Sequence, residues 1–219
     1  MKLKIQNFGP IKNGYINPQT DDFFDIYRCT VLIGEQGTGK STIAKLISTL
    51  LWLEKDIIQK RRQFNNFTTD DFIKLSKNQR INEYFLPNTY ICCITRFLTF
   101  EYKNSSFLIT KNDDFDKYEG KKIMYIPSER NFLSVIDEVD GIGGLPYTVE
   151  STYEEFSKAS RALGKTKKKL PLNGFSYFYD KNTKTGFIED EENNSVVKLS
   201  DSSSGLQSFT PLFLITDYL

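Results

Sequence analysis

The sequence predicts an α/β fold, and three features near the N-terminus carry this prediction. Residues 29–33 form a short apolar run, which is typical of a strand buried on both faces of a sheet. A glycine-rich stretch at residues 34–39 follows directly and predicts a loop. Apolar residues then recur at intervals of three and four, which predicts one long amphipathic helix. These residues are Ile43, Leu46, Ile47, Leu50, Leu53, Ile57 and Ile58.

The remaining elements also follow from apolar periodicity and from turn residues. Alternating residues predict two strands at 3–8 and 14–17, with Gly9 and Pro10 in the turn between them. Further strands are predicted at 90–94, 98–102, 106–110, 123–126, 175–179, 186–188 and 196–199. Helices are predicted from about Asp70, with Thr69 and Asp70 as caps, at 152–162, and at 204–219, where Pro211 should kink the helix. We divide the chain into a core (1–65), a helical and β-rich insertion (66–170) and hairpins with a final helix (171–219).

Composition excludes several classes of function. The 219 residues contain no histidine, so histidine-based catalysis and histidine metal ligands are excluded for this chain. The net charge of +1 gives no electrostatic argument for a dedicated nucleic-acid binder, although it leaves nucleic acid open as a partner. Three cysteines, Cys29, Cys92 and Cys93, lie in strand-like runs and predict buried thiols in a reducing cytoplasm. No run approaches the roughly 18 apolar residues of a membrane span.

The glycine-rich stretch fits the phosphate-binding P-loop pattern G-x-x-x-x-G-K-[ST]. Glycines allow backbone N–H groups to turn toward phosphates, and the following helix adds its positive N-terminal dipole. We therefore expect ATP to bind here, with Lys40 reaching the β- and γ-phosphates and the Ser41 hydroxyl binding Mg²⁺. The predicted nucleotide-binding residues are Gly34, Glu35, Gln36, Gly37, Thr38, Gly39, Lys40, Ser41 and Thr42.

Two stretches resemble the opening of SMC, RecF and OLD-type ATPases. Residues 5–11 read IQNFGPI and residues 31–42 read VLIGEQGTGKST, where such proteins often have a short N-F-G strand and the loop GENGSGKST. Residues 125–130, YIPSER, are also similar to a segment of prokaryotic ATPases in this group. The resemblance implies an ABC-type ATPase head with N-terminal antiparallel strands and helical and β-rich insertions.

A second motif resembles the signature of these heads. Residues 202–208 read SSSGLQS, similar to the signature form S-S-G-L-Q-S. The resemblance implies that Ser203 and Gly205 act in trans on the γ-phosphate of ATP held by a second head. Serine hydroxyls and glycine N–H groups at a helix N-terminus are suited to an anion, although such a segment alone is also an ordinary helix cap.

One departure from the resemblance concerns catalysis. The family places an apolar strand ending in Asp-Glu after the signature helix, and a histidine switch beyond it, and this sequence has neither. Residues 187–192, FIEDEE, are the nearest imitation, but they precede the signature and are better interpreted as an acidic hairpin turn. We therefore expect the chain to be the N-terminal part of a head, from the P-loop to the signature, and to hydrolyse ATP poorly by itself.

The function expected from the sequence is ATP binding, with hydrolysis only in a complete, dimeric head. The expected partner is a second copy or another chain that completes the head, acting in the cytoplasm of a prokaryote in DNA repair or anti-phage defence. Two alternatives stay open. One is a stand-alone P-loop phosphotransferase that uses the acidic cluster, and the other is a catalytically inactive interaction module controlled by nucleotide.

Overall fold

The computed structural model describes residues 1–115, 122–135, 144–164 and 166–219. The chain forms two compact units, Met1–Ile123 and Met124–Leu219. Their boundary falls inside the segment predicted as an insertion, so the units group the elements differently from the three segments drawn from the sequence.

The first unit is built on a five-stranded antiparallel sheet with the order β2-β1-β3-β4-β5. Its strands are β1 (Lys2–Phe8), β2 (Phe24–Asp25), β3 (Phe85–Ile94), β4 (Leu98–Lys103) and β5 (Ser106–Lys111). Buried residues alternate with partly buried ones along β4, which ends at the exposed Lys103, so one face of the sheet is buried and apolar. Leu46, Leu50 and Leu53 of helix α1 (Lys40–Ile58) join Leu3 and Ile5 of β1 in one core.

Helix α1 confirms the helix predicted after the glycine-rich stretch. Helix α2 (Thr69–Ser76) confirms the next one, but its predicted caps are wrong, because Thr68 is the N-cap. The Thr68 hydroxyl accepts from the Asp71 N–H, and the Asp71 carboxylate accepts from the Thr68 N–H at 2.9 Å, which makes a capping box. These hydrogen bonds also hold the pKa of Asp71 below its ordinary value. Phe72 of α2 stacks on Phe107 at 3.9 Å between ring centroids.

Two predicted strands of this unit are not observed. Residues 29–33 form no strand, and the side chains of Val31 and Ile33 are 74% and 91% exposed. A strand buried on both faces needs sheet neighbours, and none of the described residues pairs with this run. Residues 14–17 are also irregular, because Asn17 caps a 3-10 turn at Pro18–Thr20 and β1 pairs with β2 instead.

The second unit carries a four-stranded antiparallel sheet in the order β6-β7-β8-β9. Its elements are a 3-10 helix (Ser128–Ser134), α3 (Tyr147–Leu163), β6 (Lys168–Lys169), β7 (Phe175–Asp180), β8 (Thr185–Asp190), β9 (Ser195–Lys198) and α4 (Ser204–Tyr218). Helix α3 packs on β7 and on α4. The predicted helices and hairpin strands of this region are confirmed, but the described residues at 123–126 form no strand and have no pairing neighbour among the described elements.

The cysteine prediction is correct for two of three thiols. Cys92 and Cys93 are buried in β3, and burial raises the pKa of the Cys93 thiol. Cys29 is exposed, because the strand that was expected to bury it is absent from the described structure. Across the described ranges, no helix combines the length and apolar character that crossing a membrane requires.

A tight contact inside the second unit gives a stability prediction. A Cβ added at Gly186 in β8 would lie 2.6 Å from the Oη of Tyr177, a buried side chain that donates to the Ser160 hydroxyl at 2.9 Å. We expect Gly186→Ala to lower the free energy of unfolding by about 1–3 kcal/mol through overpacking. Chemical denaturation measures this loss. The loss should shrink in a Tyr177→Leu background, and an unchanged loss there would contradict the contact as its cause.

Candidate functional site

The glycine-rich loop (residues 34–39) enters helix α1 through two glycines with left-handed backbone angles. Gly37 has φ 83° and Gly39 has φ 97°, values that residues other than glycine rarely adopt. Within the loop, the Thr38 hydroxyl donates to the carbonyl oxygen of Glu35 at 2.8 Å. Residues 34–38 are all exposed, whereas Gly39 is buried. The loop is therefore anchored at its C-terminal end and open to solvent elsewhere.

Gly39 is anchored by the turn that follows β1. Gly9 and Pro10 form a two-residue hairpin turn, closed by paired hydrogen bonds between the backbones of Phe8 and Ile11 at 2.9 and 3.0 Å. A positive φ at Gly9 followed by proline is the pattern of a type II′ turn. A Cβ at Gly39 would lie 2.6 Å from the Ile11 side chain and 3.4 Å from that of Pro10. The N-F-G-P-I segment thus fixes where the glycine-rich loop meets the helix.

The N-terminus of α1 lacks the side-chain interactions that usually cap a helix. Its N-cap is Gly39, no side chain caps it, and no acidic residue lies in its first turn. A 19-residue helix with free N–H groups carries roughly half a positive charge at this end. This end faces an exposed loop and is therefore chemically suited to an anion.

Lys40 lies across the glycine-rich loop. Its ammonium donates to the carbonyl oxygen of Gly34 at 2.7 Å and to that of Glu35 at 2.5 Å. Lys40 lies six positions after Gly34 in the chain, so these bonds close the loop around the ammonium. A phosphate placed in the loop would offer the ammonium negatively charged oxygens in place of these neutral carbonyl acceptors.

Ser41 and Thr42 occupy different environments. Ser41, the predicted Mg²⁺ ligand, is exposed at the first turn of α1, where its hydroxyl is accessible. Thr42 is 6% exposed and lies on the buried side of α1, so its side chain has little access to a ligand. Among the residues that the structure describes, no group of three or more acidic or cysteine side chains could hold a metal ion.

A cavity of about 570 Å³ lies beside the loop. Thr38 of the loop and Ile43 of α1 line one part of it, and Tyr15 and Phe24 line another. The volume falls within the range of small-molecule sites, which are mostly apolar with a few polar groups. Sequence reasoning missed this cavity, because its lining comes from several separate segments between Ile5 and Ile43 that only the folded structure brings together.

The predicted signature residues form the N-terminus of α4 in the second unit. The Ser203 hydroxyl caps the helix by accepting from the Leu206 N–H at 3.4 Å. A Cβ at Gly205 would meet nothing nearer than the Ser203 hydroxyl, at 4.0 Å. Gln207 donates through its side-chain amide to the carbonyl oxygens of Ser200 and Ser202 at 2.7 and 2.9 Å. The segment is thus an exposed, serine-capped helix end whose preceding loop is tied down.

The acidic cluster at residues 187–192 was predicted to be a hairpin turn, but only Glu191 and Glu192 lie in the turn between β8 and β9, because residues 187–190 belong to strand β8. Asp190 accepts from the N–H groups of Glu192 and Asn193 and from the Asn193 amide, and these bonds lower its pKa. Glu191 accepts from the Ser176 hydroxyl at 3.0 Å. These hydrogen bonds give the carboxylates a structural role in closing the hairpin.

The basic stretch near residue 165 is neutralised by ion pairs. Lys167 pairs with Glu189 at 2.6 Å, and Lys168 pairs with Asp217 at 2.6 Å. Lys158 pairs with Glu155 at 2.9 Å, which raises the pKa of Lys158. Lys165 itself lies outside the described residues. The partners of Lys167 and Lys168 come from β8 and α4, and the sequence neighbourhood did not indicate them.

Comparisons with protein-family models, with curated proteins and with solved structures gave no match to this chain. The function is therefore inferred from the geometry of the glycine-rich loop and of the Ser203 helix end, together with the sequence patterns at both places.

The two left-handed glycines of the loop provide a matched test of its anchoring. A Cβ at Gly37 has nothing within 4 Å, whereas one at Gly39 would clash with Ile11. Both alanine variants pay the cost of a positive φ, about 1–2 kcal/mol, and only Gly39→Ala adds the steric term. We expect Gly39→Ala to lower the free energy of unfolding by more than Gly37→Ala, measured by urea denaturation. Equal losses would show that Ile11 does not anchor the loop.

Proposed function

We propose that this chain binds ATP with Mg²⁺ through the glycine-rich loop and is part of an ABC-type ATPase head. The observation that carries this proposal is the position of Lys40, whose ammonium spans an exposed glycine loop at the uncapped N-terminus of α1. This arrangement offers a cation, a helix dipole and backbone N–H groups to one anion. A triphosphate is the ligand that uses all three.

The remaining parts of ATP have suitable surroundings. The cavity beside Thr38 is lined by apolar side chains and by the rings of Tyr15 and Phe24, and we place the purine base there. The exposed Ser41 hydroxyl is suited to Mg²⁺. Because Mg²⁺ keeps several water ligands and often binds through substrate phosphates, it needs no cage of protein carboxylates here. The ion would neutralise part of the triphosphate charge.

The Ser203 helix end provides a second anion site, for which we propose a role in trans. Ser203 and Gly205 stand at the exposed N-terminus of a 15-residue helix. In the proposed head, they bind the γ-phosphate of ATP held by the loop of another copy. ATP would then join two heads, and hydrolysis would require the complete dimer. We also propose a cytoplasmic location, because ATP is supplied there and all three cysteines are free thiols.

The ATP proposal predicts a specific effect of removing the Lys40 ammonium. We expect Lys40→Ala to weaken Mg²⁺-ATP binding at least about a hundredfold, since a charge-assisted hydrogen bond contributes about 1.5–3 kcal/mol and Lys40 is placed to make two. Isothermal titration calorimetry measures the affinity. Lys55→Ala, in the last turn of the same helix, is the control and should bind like the wild type. Equal affinities of wild type and Lys40→Ala would exclude the loop as the site.

The proposed role in trans predicts separate effects on binding and association. The space around Gly205 accommodates a side chain, so Gly205→Gln should fold and bind ATP like the wild type. It should abolish ATP-dependent self-association of the complete protein, because the new side chain fills the place of the γ-phosphate. Thr216→Gln, at the other end of α4, adds the same side chain as a control. Normal association of Gly205→Gln in sedimentation experiments would leave this segment as a helix cap only.

A further inference from the structure

Helix α4 contains a break in its hydrogen bonding at Pro211. Proline has no backbone N–H, and its ring also crowds the carbonyl group four residues earlier. In α4 that carbonyl belongs to Gln207, and Pro211 lies inside the helix at a buried position. A buried carbonyl without a donor costs about 1–3 kcal/mol, so another group has to satisfy it.

The 3-10 helix at Ser128–Ser134 supplies two donors at this break. The Ser134 hydroxyl donates to the carbonyl oxygen of Gln207 at 2.6 Å. Arg130 donates through Nε to the carbonyl oxygen of the next residue, Ser208, at 3.1 Å. Ser134 is buried and Arg130 is half-buried, so water has little access to replace either donor. Arg130 is the last residue of the Y-I-P-S-E-R segment (residues 125–130), and Ser134 lies four positions after it.

The same turn of α4 controls the loop in front of the helix. While the Gln207 carbonyl accepts from Ser134, the Gln207 side chain donates to the carbonyl oxygens of Ser200 and Ser202. Gln207 thus connects the 3-10 helix to the residues directly before the Ser203 cap. A shift of the 3-10 helix would change the direction of this turn, and with it the position of Ser203 and Gly205.

We propose that Ser134 and Arg130 are positioning residues for the Ser203 helix end, Ser134 through the Gln207 carbonyl that Pro211 leaves open and Arg130 through the neighbouring carbonyl of Ser208. This inference rests on the proposed function, because the expected consequence is that the two residues affect the association of two heads in trans. A movement of the 3-10 helix would therefore alter the ability of the second anion site, at Ser203 and Gly205, to bind its anion.

Pro211→Ala provides the decisive test, because it restores the backbone N–H that Ser134 replaces. We expect Ser134→Ala to weaken ATP-dependent self-association of the complete protein about threefold to tenfold, the effect of one hydrogen bond. In the Pro211→Ala background, the same substitution should have about a third of that effect or less. ATP affinity should stay unchanged in all four proteins, and the double-mutant cycle cancels the small cavity left at Pro211. An equal effect of Ser134→Ala in both backgrounds would overturn the proposal.

The role of Arg130 is tested with two variants, one that keeps a hydrogen-bond donor and one that removes it. Arg130→Lys keeps a cation that can reach the Ser208 carbonyl and should retain association, whereas Arg130→Met keeps the length and should weaken it about threefold to tenfold. Equal weakening by both variants would overturn the role of the donor.

A second readout separates this inference from the proposed function. Amide hydrogen exchange at Leu206 and Gln207, measured without nucleotide, should accelerate in Ser134→Ala and return toward the wild-type rate in Ser134→Ala/Pro211→Ala. If the wild type shows no ATP-dependent association, the proposed function fails while this pattern still supports the positioning role. Unchanged exchange in Ser134→Ala would overturn the positioning role even where ATP binding is normal.

Discussion

The contact between the Gly39 backbone and the Ile11 side chain sets the geometry of the glycine-rich loop. It brings the hairpin turn after β1 against the first residue before α1, at a distance that leaves no room for a Cβ. The hairpin belongs to the sheet and the helix belongs to the core, so both sides of the contact are held by buried residues. The loop between them can then stay exposed without losing its position, as an anion site with backbone donors requires.

The second unit depends on a different constraint, which is the satisfaction of backbone carbonyl groups. Pro211 interrupts the hydrogen bonding of α4, and the 3-10 helix at Ser128–Ser134 provides donors to the carbonyl groups of Gln207 and Ser208. Proline inside a helix is costly, and in an ordinary α4 without it a backbone N–H at position 211 would bond to the Gln207 carbonyl in place of the Ser134 hydroxyl. The arrangement couples two segments that are more than 70 residues apart in the chain. We regard this coupling as the structural reason for a polar motif beside an otherwise apolar helix.

Charge is distributed differently at the two candidate anion sites and elsewhere. Lys167, Lys168 and Lys169 form ion pairs with carboxylates, so this stretch presents little unpaired positive charge for nucleic acid. Lys40 instead donates to loop carbonyls, with no ion pair among the described residues. An ammonium held by neutral acceptors keeps its full charge available to a phosphate, and this contrast favours the glycine-rich loop as the place where an anion binds.

The sequence by itself determined the elements whose cause is local. Periodic apolar residues predicted α1, alternation predicted β4 and β5, and the glycine spacing predicted the loop, because each of these patterns acts within a few residues. Tertiary structure decided everything that needs a distant partner. Residues 29–33 form no strand because none of the described residues pairs with them, and Cys29 is exposed for the same reason. Arg130 gained a role only where α4 presents the carbonyl of Ser208 to it, a proximity created by packing that no local pattern encodes.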